Sequence, residues 1–235
     1  MSVIPGDRPP AADGLATRIC SPHRLLVRAA PQGPGPGPSG LEYLGRGQNA
    51  AQLHVNSALA AARLGDADGA RRAITAADEA RAHEHRDELL EIGGEFTFSQ
   101  ATQRAVAGFA LTVIPQTTAD AVPELKRATE LYARGPEEGE DYSQLCRMRA
   151  HADLAIAGLR SGQLDAAPDA LAPVMALPPA NRTALLSQRM TVVRTELAAP
   201  VYQGSAQAAN LDEQLEAWLG DTITGDLAAL GSASS

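Results

Sequence analysis

From Gln48 onward, apolar residues recur at spacings of three and four, which puts them on one side of a helix of 3.6-residue period. In 99–114 the face is Val106, Phe109, Ala110 and Val113, and in 119–134 it is Val122, Leu125, Thr129 and Tyr132. The segment 142–161 presents Leu145, Met148, Ala152, Ile156 and Leu159. Leu186, Met190, Val193 and Leu197 continue the pattern in 183–198, and Leu211, Leu215 and Trp218 in 207–219. No segment of comparable length alternates with period two, so strands are not expected. The breaks carry helix-ending chemistry: Gly65 before Asp66 pairs a left-handed stop with an N-cap, and Ser161-Gly162 supplies a second stop. Pro115, then Thr117 with Asp120 three residues on, reads as a capping-box restart. Turns of two to four residues force neighbouring helices antiparallel, so the chain reads as a series of helical hairpins.

Two hairpins overlay. Gly65 is followed at five, nine and twelve residues by Ala70, Ile74 and Ala77, and Gly162 by Ala167, Leu171 and Val174. A small residue lets the second helix cross the first closely, and a larger one fills the gap beside it. Ala121, Leu125 and Ala128 fit a third hairpin, with Gln116 where the turn glycine would stand. The spacing resembles the second half of a tetratricopeptide repeat, and Pro179 occupies the repeat's final position in the later hairpin, where the others have Ala82 and Ala133. His54, Ala105 and His151 stand where an early aromatic is usual. The turns at 65, 116 and 162 lie 51 and then 46 residues apart, against roughly 34 for that repeat. The excess falls in Glu84–Ser99 and Gly135–Tyr142, which read as insertions. A fourth hairpin over 183–219 is helical by pattern but lacks the internal signature.

The expected fold is therefore all-α, a tetratricopeptide-like stack of antiparallel helical hairpins (an α-solenoid) over 48–230, with a short disordered tail at 231–235. Residues 1–47 read as an irregular or disordered segment. The first 48 positions hold eight of the sixteen prolines, including Pro31-Gln-Gly-Pro-Gly-Pro-Gly-Pro-Ser-Gly40, where proline lacks the amide donor and glycine lacks restraint. Leu25-Leu26-Val27 is the one short apolar stretch there, bounded by Pro22 and Pro31.

Charge and composition narrow the function. The net charge is −8, and since residues 1–48 carry five Arg against three acids, the remainder stands at −10, too acidic to favour a phosphate backbone. Direct nucleic-acid binding is not expected. No run of eighteen apolar residues occurs, and Pro5, Pro9 and Pro10 interrupt any secretory signal, so the expectation is a cytoplasmic chain that does not enter a membrane. Cys20 and Cys146 form no ligand spacing and are expected as two free thiols. His83 and His85 sit two apart and would point to different sides of a helix, so no metal site is expected. No GxSxG elbow, poised acid/base pair or phosphate cradle followed by Lys is found; Glu137, Glu138, Glu140 and Asp141 fall in one Gly- and Pro-bounded loop. The reading is a protein that is not an enzyme and takes no cofactor.

Stacked hairpins line a groove with their first helices, and a groove can hold an extended peptide or a partner helix. The repeat alignment puts Gln52, Asn56 and Arg63, then Gln100 and Gln103, then Arg149, Asp153 and Arg160 on that face. Arg and Gln suit a peptide's carboxylates and backbone. Leu211, Leu215 and Trp218 suggest an alternative, a structural adaptor holding a homo-oligomer; an enzyme without recognisable motifs is the third reading.

One set of segments carries a family likeness. Ala61–Ala82, Ile92-Gly-Gly-Glu-Phe-Thr-Phe98 with Ala101 and Gly108, Leu131-Tyr-Ala-Arg-Gly-Pro-Glu-Glu138, and Leu177-Pro-Pro179 with Ala199-Pro-Val-Tyr202 span about Gln48–Leu219. Together they resemble the C-terminal tetratricopeptide region of actinobacterial helix-turn-helix regulators of the XRE type. The resemblance implies a regulatory role or partner contact in transcriptional regulation. In that family a DNA-binding helical domain comes first, but the proline and glycine of residues 1–48 forbid three packed helices there, so DNA binding is not implied for this chain. Gly6-Asp-Arg-Pro9 with Ala11 and Ala12 resembles an internal segment of the family, which implies a truncated regulator.

Overall fold

Among the described residues the apolar period of three and four is realised as eight helices: α1 (Gln48–Arg63), α2 (Ala67–Ala82), α3 (Gln100–Val113), α4 (Thr118–Arg134), α5 (Gln144–Arg160), α6 (Ala167–Met175), α7 (Ala184–Leu197) and α8 (Ala206–Ser232). They come from a computed structural model that describes residues 48–82, 98–135 and 143–232, with side chains to Asp221. Among the described residues there is no strand, and the class is all-α. Residues 1–47 lie outside the described residues, as do His83, His85, most of both expected insertions and the acidic loop of Glu137–Asp141.

Successive helices pair as α1 with α2, α3 with α4, α5 with α6 and α7 with α8. The first helix of each pair also packs on the first helix of the next, so α1, α3, α5 and α7 adjoin in chain order, and α4 also packs against α5. The turns are built as their residues dictate. Gly65 and Gly162 take φ of +76° and +78°, a left-handed conformation that costs glycine nothing. Around them the same two bonds close the helix ends: Gly65 N to Ala62 O at 3.0 Å with Asp66 N to Ala61 O at 3.0 Å, and Gly162 N to Leu159 O at 3.0 Å with Gln163 N to Gly158 O at 2.8 Å. This double closure satisfies carbonyls that a helix end leaves open. Asp66 caps α2, accepting from Gly69 N at 2.7 Å.

The second restart differs from the capping box expected of it. Thr117 makes no side-chain cap bond to α4; its hydroxyl donates backward to Leu111 O at 2.7 Å and Ile114 O at 3.1 Å. Thr117 is fully buried, and the last carbonyls of α3 need a donor more than an exposed α4 amide does.

All nine residues of the internal signature are buried: Ala70, Ile74 and Ala77; Ala121, Leu125 and Ala128; Ala167, Leu171 and Val174. The fourth hairpin packs the same way without the same register. Its Leu211, Leu215 and Trp218 are buried at the same intervals of four and three, but lie two residues later relative to the turn glycine, Gly204, at φ +81°. The face expected for α3 is rotated. Its buried side is Ala107, Gly108, Ala110 and Leu111, while Val106 and Phe109 are half-buried and Val113 is exposed. Small residues win that side because α4 comes very close: a Cβ on Gly108 would sit 2.5 Å from Leu125 Cγ.

The apolar core falls into two clusters. One joins α1 to α4 and takes in Ala157 of α5. The other is formed by α5 to α8, with Leu159, Leu171, Met190 and Leu215 at its heart. Cys146, expected as a free thiol, is instead disulfide-bonded; the other cysteine, Cys20, lies outside the described residues.

Candidate binding face on the first helices

The residues nominated for the groove take three different roles. Gln52 and Asn56 are half-exposed on α1, Arg63 is exposed at its end, and Gln100 is half-buried at the start of α3. Gln103 is buried and turned toward α2: its Nε2 donates to Asp78 Oδ1 at 2.7 Å and its Oε1 accepts from Arg81 Nε. One amide offers one acceptor and two donors, and Arg81 and Asp78, three apart on α2, match it. Gln103 thus stitches α3 to the preceding hairpin and leaves the groove face, an amendment to its expected role. Its neighbour Arg104 does similar work, with Nη1 3.0 Å from both Asp78 Oδ2 and Glu124 Oε2, bridging α2 and α4.

Arg149, Asp153 and Arg160 do converge on one face, together with three residues the repeat alignment missed: Phe109, Arg189 and Glu196. Asp153 on α5 has a side chain only 4% exposed, with Arg149 Nε 3.5 Å from one carboxylate oxygen and Arg189 Nε 3.3 Å from the other. Both guanidinium groups lie over the ring of Phe109, at 4.6 and 4.4 Å from its centroid, a distance at which the aromatic face attracts a cation. Arg160, two turns further along α5 than Asp153, donates from Nε and Nη2 to Glu196 Oε1 at 2.9 and 2.7 Å, and from Nη1 to Thr112 O at 2.8 Å. One arginine therefore ties together the ends of α3, α5 and α7.

Burial dominates the electrostatics of this centre. It pushes the Asp153 carboxyl above its ordinary value, against the pull of Arg189 and Arg149, and it pulls the Arg149 guanidinium down despite Asp153. Taking three charges out of water is costly unless each finds close partners.

His151, at a position where the repeat usually has an aromatic, is half-buried, and its Nδ1 lies 3.1 Å from Ala170 O, bridging α5 and α6. Tyr202 donates its hydroxyl to Leu159 O, fixing the α7–α8 turn against the end of α5. Leu211, Leu215 and Trp218 are consumed by the chain's own core, so they no longer argue for an oligomer face. Arg182 stacks on Trp218 at 4.5 Å and donates to its carbonyl at 2.7 Å. Among the described residues, no group of three or more His, Cys, Asp or Glu could hold a metal ion, and no helix is long and apolar enough to cross a membrane.

Sequence reading missed Arg189, Glu196 and the role of Phe109 for definable reasons. The fourth hairpin carries no turn signature by which α7 could be registered against α5, and Phe109 was assigned to a buried face. Comparison with protein-family models, with curated proteins and with solved structures found no match.

Proposed function

We propose that this chain is a non-catalytic helical-repeat scaffold that binds a protein or peptide along its first helices. The observation that carries the reading is the adjacency of α1, α3, α5 and α7, with polar side chains of α5 and α7 gathered around Asp153 over the Phe109 ring of α3. Adjoining helices that share one face are how repeat stacks present an extended partner surface. Gln52 and Asn56 continue that face on α1, half-exposed and suited to backbone groups. The setting is regulatory, that of the C-terminal repeat region of XRE-type transcriptional regulators; this rests on the sequence resemblance alone. A cytoplasmic location goes with that setting.

Selection of a random peptide library against the full chain tests the reading. Peptides that bind wild type and lose at least about tenfold in affinity, ~1.4 kcal/mol, when Gln52→Arg and Asn56→Arg are combined would support it. Failure of any peptide to bind selectively, with fold retained by circular dichroism, would refute it.

A further inference from the structure

We draw no further inference here: the strongest candidate, the exposed apolar side chains of Leu64, Val113 and Val201 at the turns that end α1, α3 and α7, carries nothing because nothing in the structure shows what covers them.

Discussion

At the scale of single residues, the molecule is decided where a small side chain meets a fully buried one. Gly108 is the sharpest case. In a helix interior, alanine would ordinarily be favoured over glycine by about 1 kcal/mol. Here the added Cβ would lie 2.5 Å from Leu125 Cγ and 3.2 Å from Leu125 N, and Leu125 is fully buried. A backbone atom and the branch point of a packed leucine cannot swing aside. Overpacking of this kind costs about 1–3 kcal/mol, so the clash outweighs the propensity gain. Gly108→Ala is expected to lower the urea midpoint, and an unchanged or raised midpoint would show that α3 and α4 can separate at no cost. His151 supplies a pH-dependent counterpart. Burial holds its imidazole below its ordinary value, partly offset by the bond to the Ala170 carbonyl, with Arg147 adding to the depression. As pH falls through about 6.5, the unfolded chain takes up the proton before the folded one does. Stability is therefore lost on acidification and regained as pH rises. Stability measured from pH 7.5 to 5 should fall less steeply in His151→Gln than in wild type; parallel curves would remove His151 as the cause.

At the scale of elements, helix ends carry more of the structure than helix middles. Thr117 belongs to the short turn between α3 and α4, yet its hydroxyl serves two carbonyls of α3 in a fully buried position. Thr117→Val keeps the shape and removes the donor, leaving buried acceptors without it, which costs about 1–3 kcal/mol. The measurement is urea unfolding, with Thr117→Ser as the control that restores the hydroxyl; a Val variant as stable as the Ser variant would show the bonds to be dispensable. This turn also marks where the sequence stops being legible. Apart from Leu145, which is half-buried, the periods in α5, α7 and α8 name buried residues, since Met148, Ala152, Ile156, Leu186, Met190, Leu211 and Leu215 are large or regularly spaced. In α3 every candidate face contains alanine or glycine, so apolarity alone cannot fix the rotation, and the close approach of Leu125 decides it. Gln103 illustrates the same limit for the binding face. Its repeat position matches Gln52 and Arg149, but the chance of facing Asp78 and Arg81 on α2 turns it inward.

At the scale of the whole described stack, the two apolar clusters are separate, and what joins them on the first-helix layer is largely polar. Phe109 and Thr112 belong to α3, Arg149, Asp153 and Arg160 to α5, and Arg189 and Glu196 to α7. Asp153 stands at the centre with both its oxygens engaged. In a stack of hairpins, stability is approximately a sum of each hairpin's own stability and that of the interfaces between neighbours. Weakening one interface should then let one side unfold before the other. Asp153→Asn tests this with little change in volume: it leaves Arg149 and Arg189 as two like charges over one ring. Removing one partner from a buried ionic group costs about 3–5 kcal/mol, softened here because both arginines retain some exposure. The expected outcome is a lower urea midpoint together with a broader transition and a smaller apparent m-value, the mark of broken two-state behaviour. Hydrogen exchange should then report faster opening on one side of α5 than on the other. If the coupling were instead carried by Ala157 and its apolar neighbours in the first cluster, Asp153→Asn would shift the midpoint with m unchanged, and exchange would accelerate evenly on both sides.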